Sequence, residues 1–225
     1  MNIWLILLGV MLASYLIQAV LNSKFDKYSK VPSRGGLTSA QVAQKMLSDH
    51  GIDNVKVTCI KGRLTDHFNP VDMTVNLSEG VYRSDSIAAA AIAAHECGHA
   101  VQHATGYAPL KIRSALVPVV SFANNIVSWV LLIGVILVES FPSILWAGIA
   151  LFALTTLFSF ITLPVEVNAS SRAIRWLDES RIADGQTRGM AEDALRWAAY
   201  TYVIAALGSL ATLLYYISIA NSSRR

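Results

Sequence analysis

Four long stretches of the chain contain no Asp, Glu, Lys or Arg, and they constrain the fold more than any other feature. They are Met1–Ser23, Ser114–Val138, Ser140–Val165 and Trp197–Ser223. Each can hold the ~20 apolar residues that cross the hydrocarbon core of a bilayer. A soluble protein with buried helices would interrupt such runs with charge. The predicted transmembrane spans are Ile3–Leu21, Ala115–Val138, Ile144–Leu163 and Ala198–Ala220.

The positions of Lys and Arg predict the orientation, because cytoplasmic loops of membrane proteins carry an excess of positive charge. Basic residues follow the first span, precede the second and lie between the third and fourth, whereas the turn 139–143 has none. They are Lys24, Lys27, Lys30, Arg34, Lys111, Arg113, Arg172, Arg175, Arg181, Arg188 and Arg196. These segments are predicted to be cytoplasmic, which leaves the tail Arg224-Arg225 outside as an exception. The chain is thus expected to be a multi-pass protein of the cell membrane.

A cleaved signal peptide is the alternative interpretation of the first span. That span lacks a basic n-region and a clear A-x-A cleavage site, so a retained anchor is favoured. The composition agrees with a membrane protein: 15% of the residues are charged, against ~25% in soluble domains. The net charge of +3 reflects the cytoplasmic loops, and no nucleic-acid partner is expected. Cys59 and Cys97 would both be cytoplasmic, where a structural disulfide is not expected.

The motif that most constrains function is H-E-x-x-H at residues 95–99, within an alanine-rich stretch predicted to be helical over Ile87–Ala104. Residues four apart on an α-helix differ by about 40° in direction. His95 and His99 can therefore bind one tetrahedral Zn²⁺ from the same face. Glu96 lies on the adjoining face, where it can accept a proton from a metal-bound water. The alternative is a buried helix whose histidines form hydrogen bonds within the fold.

The predicted organisation is an anchor helix over 1–22, an α+β unit over 23–113 and a membrane domain over 114–225. Thr38 and Gln41 resemble a capping box that opens a helix. Alternating residues predict strands over 54–60 and 72–77, with a loop over 66–70. The membrane domain contains three spans and a helical segment over 164–196, opened by Pro164. The fold class is therefore a mainly α membrane protein with four transmembrane helices and a small cytoplasmic, zincin-like α+β unit.

A catalytic zinc site needs a third protein ligand, and Glu166 is the best candidate. It stands two residues after Pro164, where the third span meets its cytoplasmic boundary, and a carboxylate at the edge of hydrocarbon indicates a functional site. The alternative is an interfacial acid near a helix N-terminus. His103 is expected to be a helix-end histidine, or else a group that contacts the site. The rivals of Glu166, each expected to be a solvated charge at a helix start, are Asp184, Glu192 and Asp193.

Three segments carry a resemblance to a known family. D-H-F-N-P at 66–70, N-L-S at 76–78 and A-A-H-E-C-G-H-A-V-Q-H at 93–103 resemble the YugP-type neutral zinc metallopeptidases of bacterial membranes. The resemblance covers nearly the whole chain, and the layout is similar to HtpX-type membrane proteases and CAAX prenyl endopeptidases. It implies Glu166 as the third zinc ligand. Ser170 stands where the wider pattern E-x-x-A-D has an Asp that orients a ligating histidine, so Asp66 or Ser170 is expected to replace it.

The expected function is a zinc-dependent endopeptidase with its site at the cytoplasmic membrane face, acting on protein or peptide substrates, membrane proteins among them. His67 and Arg172 are candidate donors to the oxyanion, or else a loop histidine and a boundary arginine. The strand 72–77 can bind substrate as an added strand, or be a core strand. Asn124 and Asn125, inside the second span, can line a polar cavity or hydrogen-bond between helices. The alternative function is a membrane adaptor or chaperone with a structural zinc site.

Overall fold

The computed structural model describes residues 3–222, and helix predominates within them. The helices are α1 (Ile3–Tyr28), α2 (Ser39–Asp49), α3 (Glu79–Tyr82), α4 (Ile87–Ala104), α5 (Ala108–Ile136), α6 (Pro142–Glu179) and α7 (Gly185–Ser222). The strands are β1 (Lys56–Ile60), β2 (His67–Asn69) and β3 (Thr74–Ser78). The predicted location of Arg224-Arg225 falls outside the described residues.

Four of these helices, α1, α5, α6 and α7, are long and apolar enough to cross a membrane. Their most apolar windows have mean hydropathies of 2.2, 2.0, 2.2 and 1.9, respectively. Helices α1, α6 and α7 each contain one of the spans that the uncharged stretches predict, and α5 covers the span Ala115–Val138 except for its last two residues. The prediction of a mainly α, multi-pass membrane protein is therefore confirmed.

Helix α6 differs from its prediction at Pro164. The sequence suggested that this proline opens a new helix, but α6 runs through it without a break. Proline removes one backbone donor from a helix and is tolerated inside membrane helices, where nearby groups satisfy the freed carbonyl. A single helix thus carries both the apolar span and the segment after it. Its 38 residues correspond to about 57 Å of helix.

The described residues form two compact units. One contains residues 3–16, 111–164 and 201–222, which supply most of the apolar helices. In it α5 packs closely on α6, because a Cβ at Gly134 would lie 2.6 Å from the Leu145 Cα. The Thr156 and Ser209 hydroxyls, 2.6 Å apart, join α6 to α7. Small and hydroxylated residues of this kind are typical of helix contacts in membranes.

The second unit contains residues 17–110 and 165–200 and holds the sheet. The strand order is β1-β3-β2, with β1 parallel and β2 antiparallel to β3. Strand β1 falls inside the predicted segment 54–60, and β3 overlaps the predicted segment 72–77 and ends one residue after it. The capping box at Thr38 is also confirmed, since the Gln41 amide N–H bonds the Thr38 hydroxyl and the Gln41 side chain accepts from the Thr38 N–H.

One expectation about this sheet is wrong, and the two alternatives for the strand 72–77 are decided in favour of a core strand. The segment 66–70, predicted to be a loop, contains the edge strand β2, which is too short to show an alternating pattern. The strand 72–77 was a candidate for pairing with substrate, but β3 is the central strand and both of its edges are already paired. Only an edge strand can accept an added strand.

Helix α4 lies in the core of this unit, with Ser86 as its N-cap accepting a hydrogen bond from the Ala89 N–H. All of its alanines except Ala104 are almost fully buried, so neighbouring backbones can approach it closely. The closest approach is at Gly98, where an added Cβ would lie 2.6 Å from the Ala169 carbonyl oxygen of α6. A real side chain cannot occupy that space without moving one of the two helices.

We expect Gly98→Ala to destabilise the protein by about 1–3 kcal/mol, because the new methyl group overpacks the contact with Ala169. Thermal unfolding in detergent micelles measures the change. Gly189→Ala in α7 is the matched control, since nothing lies within 4 Å of its added Cβ. The control is expected to be neutral or slightly stabilising. Equal unfolding temperatures for the two variants would contradict the packing argument.

Candidate metal centre

Helices α4 and α6 bring three potential metal ligands together. His95 and His99 lie one turn apart on α4, with ring centroids 4.8 Å apart. Their Nε2 atoms lie 3.3 and 3.6 Å from the Glu166 Oε2 of α6, respectively. The potential ligand atoms of the three residues all lie within 4.8 Å of one another. The structure therefore places the three residues predicted from the sequence in one cluster.

The cluster is buried on the α6 side and more open toward His95. Glu166 and His99 are 2% and 8% exposed, whereas His95 is only half-buried. A carboxylate is rarely this buried unless it pairs with a cation or coordinates a metal. The partial exposure of His95 leaves a side from which solvent or a ligand can enter. This combination is typical of a catalytic site, in which one metal position stays open.

The buried side chain of Gln102 determines which nitrogen of His99 carries the proton. The Gln102 Nε2 donates to the Val165 carbonyl, which can only accept, and to the Asn168 Oδ1. The Gln102 Oε1 must then face the His99 Nδ1, 3.0 Å away. The Nδ1 therefore carries a proton, and when the ring is neutral its Nε2 lone pair faces Glu166.

The positions of the hydrogen-bond acceptors in this cluster decide whether the residues fit a metal ion. The His99 Nε2 lone pair and the Glu166 carboxylate are both acceptors, and they face each other at 3.6 Å. Two acceptors this close repel unless a cation or a shared proton lies between them. Two imidazoles and one glutamate are also a donor set that Zn²⁺ takes in catalytic sites. The three residues fit zinc.

His95 is oriented by Ser170, whose Oγ lies 3.0 Å from the His95 Nδ1. Asp66 and Ser170 were the two candidates to replace the Asp of the wider pattern, and the Ser170 hydroxyl is the one that contacts the histidine. Asp66 instead accepts from the Ser78 N–H and hydroxyl, and its burial raises the pKa of its carboxyl. Asp66 therefore holds the end of β3 rather than a metal ligand.

Glu96, the predicted general base, is held by the edge strand of the sheet. Its Oε2 accepts a hydrogen bond of 3.0 Å from the Phe68 backbone N–H of β2. The Oε1 has no hydrogen-bond partner among residues 3–222. The donation by Phe68 also shows that the outer edge of β2 runs beside Glu96, since Phe68 is paired with Val75 of β3 on its other side.

The other candidate residues lie outside the cluster. The ring nitrogens of His67 are bonded to the Thr65 carbonyl and the Asn76 amide on the sheet. The Arg172 Nε donates to the Asn168 Oδ1, and its guanidinium lies 6.0 Å from the Tyr107 ring centroid. His103 packs against the Phe68 ring. Cys97 is fully buried, as expected, and its burial raises the pKa of its thiol.

The rivals of Glu166 have other partners or other positions. Asp184 pairs with Arg34, and Asp193 pairs with Lys24 and accepts from the Tyr28 hydroxyl. Glu192 is exposed on α7. Among the described residues, only His95, His99 and Glu166 form a group that is able to hold a metal ion.

Sequence reasoning missed Gln102, which joins His99 to α6. The available signal was its spacing, because a residue three positions after His99 lies on the same helix face. A buried amide beside a ligating histidine is a common way to fix the imidazole orientation.

Comparison with known proteins gives the family. The sequence matches, over residues 3–221, the family described as "Putative neutral zinc metallopeptidase". The chain belongs to this family. It is 41% identical over 212 residues to the Bacillus subtilis (strain 168) protein named "Putative membrane protease YugP", covering 94% of this chain and 93% of that protein. No solved structure matches the chain. The resemblance seen in the three motif segments is therefore confirmed.

We expect Gln102→Leu to lower the affinity for Zn²⁺ by about 10- to 100-fold, because His99 loses the acceptor that fixes its orientation. Competition with a chromophoric chelator measures the affinity. Gln102→Glu keeps an acceptor for the His99 Nδ1 and is expected to lose less. Gln186→Leu, the same substitution at an exposed position of α7, should leave the affinity unchanged. Equal affinities for Gln102→Leu and Gln186→Leu would exclude the orienting role.

Proposed function

We propose that the protein is a zinc-dependent integral-membrane endopeptidase whose site lies at the cytoplasmic membrane face. In this proposal His95, His99 and Glu166 hold the metal, and Glu96 is the general base. The observation that carries it is the convergence of both imidazole Nε2 atoms on the Glu166 Oε2, at 3.3 and 3.6 Å. Membership of a family described as zinc metallopeptidases supports the choice of metal and of reaction.

The proposed reaction is hydrolysis of a peptide bond. When bound, Zn²⁺ supplies a Lewis acid that polarises the carbonyl and lowers the pKa of a coordinated water toward ~7. Glu96 accepts the proton of the attacking water and later delivers it to the leaving amine. The Phe68 N–H holds the Glu96 Oε2 and leaves the Oε1 available for the transfer. The hydrogen bonds from Ser170 and Gln102 keep the two imidazoles in their binding orientation.

The edge strand β2 is the proposed docking place for the substrate backbone. An extended peptide can pair with an exposed strand edge through main-chain hydrogen bonds. The outer edge of β2 lies beside Glu96, because the Phe68 N–H reaches that carboxylate. The Phe68 N–H is already bonded to Glu96, so a peptide on this edge would pair with the remaining backbone groups of β2 and lie next to the proposed base.

The distribution of basic residues supports the cytoplasmic placement of the site. Lys24 and Lys27 follow the first apolar stretch, and Lys111 precedes the second. The five arginines between the third and fourth stretches are on the same predicted side. The site residues lie on α4 and on α6 after its apolar stretch, so they share that side.

Glu96→Gln is expected to lower peptidase activity by about 10²- to 10⁴-fold, because the amide cannot accept the proton. Cleavage of a fluorogenic peptide library by the purified full chain measures activity, and metal analysis measures bound zinc. Zinc content should stay at the wild-type level, since Glu96 is not a ligand in this proposal. Glu79→Gln, at an exposed acid of α3, is the matched control. A Glu96→Gln protein that binds zinc and cleaves peptides at the wild-type rate would exclude the mechanism. A wild-type protein that binds zinc but cleaves no peptide would favour the alternative function, a membrane adaptor or chaperone with a structural zinc site.

Glu166→Ala is expected to lose most of its zinc after dialysis, because only two of the three ligands remain. Elemental analysis of the purified protein gives the zinc content per chain. Glu192→Ala removes an exposed acid from α7 and should retain a full complement. Full zinc occupancy in the Glu166→Ala protein would show that another group completes the site.

A further inference from the structure

A polar stripe follows one face of the apolar helix α5. It consists of Ser114, Ser121, Asn124, Asn125 and Ser128, and all five residues are exposed. We refer to these residues as the α5 stripe. They lie within an arc of about 100° around the helix axis. The stripe borders the buried face of α5, which is formed by Val120, Ala123, Val127, Leu131 and Gly134.

The depth of the two asparagines makes their exposure informative. Asn124 and Asn125 lie within two residues of the midpoint of the charge-free run Ser114–Val138. Neither side chain makes a hydrogen bond to any of the residues 3–222. An amide facing lipid tails finds no partner there, and this is costly. The other exposed face of α5 shows the contrast, since it carries Phe122, Trp129 and Ile133 and suits lipid.

The hydroxyl residues in the spans of α6 and α7 behave differently. Thr155, Ser159 and Thr162 of α6 each donate to a backbone carbonyl of their own helix. Thr212 of α7 does the same. The serines of the α5 stripe make no side-chain hydrogen bond within the described part of the chain. Within the spans of α5, α6 and α7, the Ser, Thr and Asn side chains that make no hydrogen bond to residues 3–222 are thus those of the α5 stripe.

The spacing of the stripe is that of a seam between two helices. Ser114, Ser121 and Ser128 recur every seven residues, and Asn124 and Asn125 fall three and four residues after Ser121. A seven-residue repeat keeps the same residues facing a neighbouring helix along its length. Small residues allow the backbones to approach, and asparagines form hydrogen bonds across such seams.

We propose that the α5 stripe is a self-association surface that pairs with the same stripe of a second copy of this chain. The carboxamide of Asn is both donor and acceptor, so the stripe is complementary to itself. A two-fold axis between two α5 helices brings identical residues face to face. Asn124 and Asn125 of one copy then bond the asparagines of its partner at the same membrane depth. A different protein would need matching polar groups at that depth.

The first test measures association of the full chain in lipid vesicles. Energy transfer between two differently labelled samples, followed as the lipid-to-protein ratio is raised, gives the dimer dissociation constant. The double variant Asn124→Leu/Asn125→Leu is expected to raise this constant at least about tenfold. The matched control Phe122→Leu/Trp129→Leu changes the opposite exposed face and should stay within about twofold of wild type.

The second test locates the interface without relying on the asparagine variants. Cys59→Ser and Cys97→Ala remove the native thiols, and a single cysteine is then introduced at Ser121 or, as control, at Phe122. A short bifunctional thiol reagent should cross-link Ser121→Cys chains in the membrane and leave Phe122→Cys chains monomeric.

Two outcomes would overturn the proposal. One is a wild-type chain that stays monomeric at every dilution. If Ser121→Cys then cross-links to a different membrane protein, the stripe binds that protein and not a second copy of this chain. The other is equal cross-linking from both faces. Neither test uses zinc or peptidase activity, so its failure leaves the proposed endopeptidase function untouched.

Discussion

The metal centre depends on one buried carboxamide. Gln102 is fully buried, and its three hydrogen bonds join His99 on α4 to Val165 and Asn168 on α6. The Gln102 Nε2 must face the Val165 carbonyl, which fixes the orientation of the Gln102 amide. The Gln102 Oε1 then accepts from the His99 Nδ1, and the His99 Nε2 is directed toward Glu166. A buried amide is favourable only when all of its groups are satisfied. The side chain that orients the histidine is therefore the one that docks the two helices.

This docking explains why the motif helix has its unusual composition. Helix α4 is almost entirely buried, and its small residues let α6 approach until the Ala169 carbonyl meets Gly98. The close approach brings Glu166 and Ser170 within reach of the imidazoles, at 3.3 Å and 3.0 Å from the His95 ring nitrogens. The two residues lie one helical turn apart on α6, just as the two histidines do on α4. The site is thus a four-residue contact between two helix faces.

The sequence predicted the parts of this arrangement that are local. The capping box at Thr38, the four apolar spans and the helix around residues 95–99 follow from periodicity and composition. The pairing of His95 and His99 follows from helix geometry alone, whereas the third candidate ligand needed both the position of Glu166 and the family resemblance. The contact of Gln102 with His99 follows the helix spacing, but its other two partners lie on α6, where no local pattern places them. The sequence left Ser170 as one of two alternatives because its partner, His95, lies on another helix. Strand β2 and the unbroken α6 at Pro164 likewise depend on neighbours that no local pattern reveals.

The polar side chains of the candidate metal centre and those of the α5 stripe differ in their hydrogen bonding. Around the site, each imidazole Nδ1 has a partner on α4 or α6, and the Phe68 N–H holds the base. Such a network needs nothing further except an ion between the ligands. On α5, two carboxamides near the middle of an apolar span have no partner among the described residues, although every other exposed position around them suits lipid or carries a small hydroxyl. Lipid cannot supply these hydrogen bonds. In the self-association that we propose, a second copy of α5 supplies them, because it carries the same groups at the same depth.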